Sequence, residues 1–186
     1  CNEHLSEWNL CTVVILESMW DTMSESYLLW ENLAQKYLRS LNDLGMNPSD
    51  KAKELTIAQI AKSTDLVHLH SLNDLKEYRN SVTNNSRRLS EAIRLSHKIL
   101  SSVEDEEFVN YILDSLYYQT QFDNHLIWQY YNNKAEFYIY TNQFERAEKS
   151  AANAISNDKK LTYAYKNMIV AKVLSGKYDE AHELLE

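Results

Sequence analysis

Two groupings in this sequence have the side chains to hold a metal ion. They are His68-Leu69-His70 and the run Glu104-Asp105-Glu106-Glu107. On a helix, residues two apart point about 200° away from each other, so the two imidazoles cannot chelate together. No cysteine or carboxylate stands at ligand spacing with either histidine. The acidic run follows Ser102, and Ser102 with Asp105 makes an [ST]-x-x-[DE] start signal. Acids there suit the positive end of a helix dipole, so the run reads as a helix start. His4, His97, His125 and His182 are scattered, and none has a His-Glu-x-x-His or triad context. Nucleophile elbow, phosphate loop and paired-carboxylate patterns are missing. The expectation is a protein with no catalytic residues, no metal and no cofactor, and not an enzyme.

The charges speak against nucleic acid as the main partner. Nineteen Lys and Arg stand against 27 Asp and Glu, a formal net charge of −8. Residues 50–100 hold nine basic and six acidic side chains, a local +3 that leaves −11 for the remainder. Within that stretch, Thr56 to Leu66 is faintly like the first half of a helix-turn-helix, with Ala61 as its small residue and Asp65 where a turn glycine normally sits. A DNA-binding regulator with a helical sensor is therefore the second functional class.

The elements that position these residues are helical. Glycine occurs twice and proline once in 186 residues, where average usage gives roughly 13 and 9. Sandwiches and doubly wound sheets need turn punctuation that is missing here, and no β-sheet is expected. Ser24 to Leu44 reads as one helix, with Leu28, Leu29, Leu33, Tyr37, Leu41 and Leu44 on its apolar face and Gly45 just past its end. Pro48, at a first-turn position, opens a helix through Leu55, Ile57, Ile60 and Ala61. Ser63 or Thr64 is the next expected cap, before a stripe of Leu66, Leu69, Leu72, Leu75 and Tyr78. After a polar break at Asn84–Ser86, Leu89, Ile93, Leu95, Ile99 and Leu100 continue the pattern. Phe108, Ile112 and Leu116 face inward from the helix behind the acidic run.

A period of 34 residues marks the last third. Tyr131 and Tyr165 are 34 apart, as are Asn133 and Asn167, Asn142 and Gly176, Phe144 and Tyr178, and Ala147 and Ala181. This period, with Gly-Lys-Tyr-Asp-Glu-Ala at 176–181, resembles the tetratricopeptide repeat over Trp128 to Glu186. Lys134, Lys159 and Ile169 depart from the family pattern. The resemblance implies an all-α fold: antiparallel helical hairpins stacked as an α-solenoid, ending in repeats at 128–161 and a truncated 162–186. Residues 1–122 form a helical-hairpin region of unassigned family, and 123–186 the repeat region. Asn142 and Gly176 then occupy tight inter-helix turns, Phe144 and Tyr178 pack across those turns, and Ala147 and Ala181 sit at close helix crossings.

The resemblance also implies a function: a scaffold, adaptor or regulator that binds another protein or a peptide in a concave groove. By position, Asn132, Asn133, Glu136 and Tyr140 face the groove in one repeat, and Lys166, Asn167, Val170 and Val173 in the next. Asn133 and Asn167 hold positions whose amides bond a ligand's backbone in peptide-binding members, so both are expected to be partly exposed. The full carboxylate-clamp set of Lys and Arg is absent, so recognition of an acidic C-terminal tail is not implied.

Two cysteines, Cys1 and Cys11, make no disulfide framework, and Cys11 reads as a buried small hydrophobe. No apolar stretch approaches 18 residues, so no spanning helix is expected, and a cytoplasmic location follows as the expectation. A third class remains: the first residue is Cys, as in a bacterial lipoprotein after signal cleavage, which would make the chain a lipid-anchored envelope assembly factor. Membrane association is expected only if Cys1 is acylated.

Overall fold

A computed structural model describes residues 27–64, 71–81, 86–120, 126–158, 160 and 162–185. The protein is all-α, with no strand among the described residues. The helices are α1 (Tyr27–Asp43), α2 (Ser49–Ser63), α3 (Leu72–Ser81), α4 (Ser86–Leu95), α5 (His97–Leu100), α6 (Glu106–Gln119), α7 (Ile127–Tyr140), α8 (Phe144–Asn157), α9 (Thr162–Leu174) and α10 (Tyr178–Glu183). Cys1, Cys11, the Ser24 cap, His68, His70 and the Asp65 turn lie outside the described residues.

Helix ends follow local chemistry. α1, α7 and α9 each stop at a left-handed residue: Gly45 (φ 74°), Asn142 (φ 59°) and Gly176 (φ 81°). In each turn two amides fold back on the last carbonyls. Gln143 N–H donates to Tyr138 O at 2.8 Å and Asn142 N–H to Ile139 O at 3.1 Å. Thirty-four residues on, Lys177 N–H donates to Lys172 O at 2.8 Å and Gly176 N–H to Val173 O at 3.1 Å. This double closure satisfies carbonyls that a helix end otherwise leaves open.

Three starts and stops differ from the sequence reading. Thr64 closes α2, its hydroxyl donating to Ile60 O at 2.6 Å. Asp105, not Ser102, caps α6 by accepting from Phe108 N–H at 2.9 Å. A carboxylate there bonds the first-turn amides directly, which leaves Ser102 no role in the cap. Pro48 stands at the N-cap of α2, one place before the helix.

One core joins most of the array. Ile57 and Ile60 of α2, Leu75 of α3, Leu89 and Ile93 of α4, Ile112, Leu113 and Leu116 of α6, and Phe137 and Tyr138 of α7 pack together. A second cluster sets Ala34, Tyr37, Leu38 and Leu41 of α1 against Ala52 and Leu55 of α2 and Ile99 of α5. Toward the C-terminus the core residues are small. Ala135, Ala147, Ala151, Ala154, Ala164, Ala171 and Ala181 are all buried where α7, α8, α9 and α10 pack in succession. Alanine at these crossings lets the helix backbones approach closely. Phe144 is half-buried, but Tyr178 is exposed, against the expectation that both pack across their turns.

Candidate functional site

Asn132, Glu136 and Tyr140 are four residues apart and share one stripe of α7. Each meets a different neighbour. The Asn132 side-chain carbonyl accepts from Asn167 Nδ2 of α9 at 3.0 Å. Glu136 lies 3.6 Å from the Arg94 guanidinium of α4. The Tyr140 hydroxyl accepts from Gln35 Nε2 of α1 at 3.4 Å. The stripe is half-buried at Asn132 and Glu136 and exposed at Tyr140. Lys166 on α9 is exposed, Asn167 and Val170 are half-buried, and Val173 is exposed. Seven of the eight expected groove residues are thus open to solvent at least in part.

Asn133 is the correction. It is only 4% exposed, against an expectation of exposure. Its Nδ2 donates to the Ser90 carbonyl at 3.0 Å and the Ser90 hydroxyl at 3.2 Å. One residue beyond Asn132 is about 100° further round the helix, and that turn carries Asn133 onto α4. Asn133 and Asn167 do share a role, because each amide donates back to the preceding layer, to Ser90 and to Asn132 respectively.

Electrostatics on this face are mixed. Burial pushes the Glu136 carboxyl above its ordinary range, against the pull of Arg94. Arg94 is shared, since its Nε donates to Glu91 at 2.9 Å. Lys166 adds a cation at the rim.

Three further groupings were not read from the sequence. In the first, Tyr130 Oη donates to Asp114 Oδ1 at 2.8 Å, and Lys134 Nζ reaches the same oxygen at 3.0 Å. Burial pushes the Tyr130 hydroxyl up to about 12. Burial opposes the charge on Lys134, but bonds to Tyr130 and Asp114 outweigh it and hold the ammonium protonated. Groups fixed in these forms tie α6 to α7 and offer no proton near neutrality. In the second, Glu148 of α8 receives Lys172 Nζ at 3.2 Å and Lys177 Nζ at 2.7 Å, clamping the α9–α10 turn. The third is a cleft of about 430 Å³ beside Tyr140, between α1 and the end of α5. Each of the three joins residues of separate helices, so no local motif announces it.

His97 is 3% exposed, and neither ring nitrogen has a hydrogen-bond partner. Its ring stands edge-on to Phe137 at 5.7 Å. Among the described residues there is no cluster of three or more His, Cys, Asp or Glu side chains able to hold a metal ion, and no helix long and apolar enough to cross a membrane. No protein-family model, curated protein or solved structure matches this chain.

Proposed function

We propose that this protein is a binding module, not an enzyme, and that it docks a peptide or extended segment of another protein on the face shared by α7 and α9. We take its C-terminal hairpins as tetratricopeptide-like repeats. The turns at Asn142 and Gly176, equivalent bond for bond at an offset of 34 residues, support that frame. The observation that carries the docking reading is the Asn132–Glu136–Tyr140 stripe continued by Lys166, Asn167, Val170 and Val173. It sets amides, opposite charges and apolar groups on one face, where Asn132, Glu136, Tyr140 and Asn167 are each held by a neighbouring helix. A braced surface loses little freedom on binding, which favours affinity. The formal charge of −8 argues against nucleic acid as the ligand.

The test begins with a peptide selected from a random display library on the wild-type chain. Its affinity is then measured for Asn167→Ala, Val170→Asp and Lys160→Ala. Asn167→Ala removes a hydrogen bond worth about 0.5–1.5 kcal/mol, so binding falls roughly 2- to 13-fold. Val170→Asp weakens binding further, and Lys160→Ala leaves it unchanged. A selected peptide that binds all three variants like the wild type refutes this face as the docking site.

A further inference from the structure

A second cleft, of about 400 Å³, opens on another side of α7. Phe137 and Thr141 line it, each one residue on from Glu136 and Tyr140, which turns them about 100° away from the docking stripe. Its wall is apolar: Leu100, Phe137 and Tyr138 are buried, and Val103 and Val109 half-buried. Charge comes from separate elements. Arg146 of α8 lines the cleft, as do Glu104 and Glu106 at the entry to α6. An apolar cleft of this size with a few placed polar groups is the usual form of a small-molecule site.

The Arg146 guanidinium is fixed in place. Its Nη1 donates to Gln143 Oε1 at 2.7 Å, its Nη2 donates to the Tyr138 hydroxyl at 3.0 Å, and it lies over the Tyr138 ring at 4.4 Å. Gln143 is held in turn, its Nε2 donating to Thr141 Oγ1 at 2.9 Å. A guanidinium has five N–H donors, so three are left for a ligand. Among the described residues Arg146 has no carboxylate within 4.0 Å, and the Glu106 carboxylate has no hydrogen-bond or ion-pair partner. Glu104 Oε2 accepts from Asn47 Nδ2 at 3.3 Å, which leaves its other oxygen open. Opposite charges therefore line one cleft without neutralising each other.

These groups select the ligand by elimination. A lone anion meets the two carboxylates as well as Arg146, and a lone cation meets Arg146 as well as the carboxylates. A purely apolar ligand strips water from all three charges and gives nothing back. A molecule with a carboxylate, an ammonium and an apolar body answers each group. The fixed guanidinium suits a carboxylate, to which it can bond through two parallel N–H groups. An ammonium has three donors to share between Glu106 and Glu104. We infer that this cleft binds a free α-amino acid with an apolar side chain. Its carboxylate lies on Arg146, its ammonium on Glu106 and Glu104, and its side chain against Phe137 and Val109. The site shares no residue with the α7–α9 face, so it stands or falls apart from the docking proposal.

The experiment is a titration of the full chain with L-leucine, followed residue by residue by NMR. Glycine, N-acetyl-L-leucine, L-leucinamide and 6-aminohexanoate are parallel probes. The expected result is saturable shifts confined to the segments 103–110, 137–141 and 143–146, with L-leucine the tightest of the probes. Blocking either charge, or removing the side chain, weakens binding by about tenfold or more. Arg146→Gln and Glu106→Gln each weaken L-leucine by a similar factor, and Lys166→Glu on the α9 face leaves it unchanged. Thermal melts of every variant separate lost charge from lost fold. Glu106→Lys gives a readout that misfolding cannot mimic, because it should bind N-acetyl-L-leucine more tightly than L-leucine. Unsaturable or diffuse shifts, or L-leucine binding Arg146→Gln like the wild type, overturns the site. So does N-acetyl-L-leucine or L-leucinamide binding the wild type as tightly as L-leucine. Tighter binding of 6-aminohexanoate than of L-leucine overturns the α-amino acid assignment, since that probe holds its two charges far apart.

Discussion

Acid should unfold this protein through His97, and the size of the effect follows from its surroundings. The imidazole is enclosed where α5 meets α1, α2, α4 and α7, with both nitrogens unpaired. Burial, and then the charge of Arg94, push its pKa from 6.5 down to about 3. The folded value is depressed, so between those limits the unfolded chain binds more protons than the folded one. Stability is therefore full above the unfolded value and is lost as pH falls from 6.5 toward 3. One pKa unit corresponds to about 1.4 kcal/mol, so His97 alone removes about 2 kcal/mol by pH 5 and about 4–5 kcal/mol by pH 3. His97→Leu isolates this effect. Leucine is of similar bulk, loses no hydrogen bond and does not titrate, so the variant should match or exceed the wild type at pH 7.5. Urea denaturation at pH 7.5 and pH 5.0 gives the stability difference between variant and wild type at each pH. That difference should shift by about 2 kcal/mol in favour of the variant at pH 5.0. In melting temperature the shift is about 4–8 °C for a chain of this length. Carboxylates titrate in both proteins and cancel. Identical pH dependence of the two would refute the enclosed, unpaired imidazole.

Asn133→Ala should destabilise the fold by about 1–3 kcal/mol in denaturant, because the Ser90 carbonyl loses its side-chain donor, while a peptide bound on the α7–α9 face keeps its affinity. Ala147→Leu and Ala181→Leu should each cost roughly 1–3 kcal/mol by forcing methylenes into close crossings, and melting curves like the wild type would refute those crossings. Gly176→Ala should cost about 1 kcal/mol with no steric clash, since no atom lies within 4 Å of the added methyl and only the φ of 81° resists it. Gly176→Asn should cost less, and equal thermal stability of the alanine variant and wild type would contradict the left-handed turn.

Helix class and the main apolar faces were legible because they depend on local periodicity. Tyr37 and Leu41 on α1, Leu89 and Ile93 on α4, and Ile112 and Leu116 on α6 are buried as their spacing predicts. Asn142 and Gly176 were legible as turns because a positive φ is a demand on one residue's own backbone. Of the buried alanines, Ala147 and Ala181 were legible through the 34-residue period, whereas Ala164 and Ala171 carry no such signal. Caps were read less well, since neighbouring Ser, Thr and Asp residues compete for the same amides. Thus Asp105 capped α6 where Ser102 was expected, and the reciprocal Ser71–Asp74 cap of α3 was overlooked.

Sequence by itself determined where this chain coils and which residues of each helix seek the core, because helix period, left-handed turns and side-chain size act within a few residues. Only tertiary structure decided that Asn132 stays partly open while Asn133 is sealed against Ser90. The same holds for the enclosure of His97 against Phe137 and for the cleft that Gln35 of α1 and Tyr140 of α7 both line, residues 105 apart in the chain. Each of these depends on which helix a side chain meets. That is set by the packing of all the helices at once, and no local pattern encodes it.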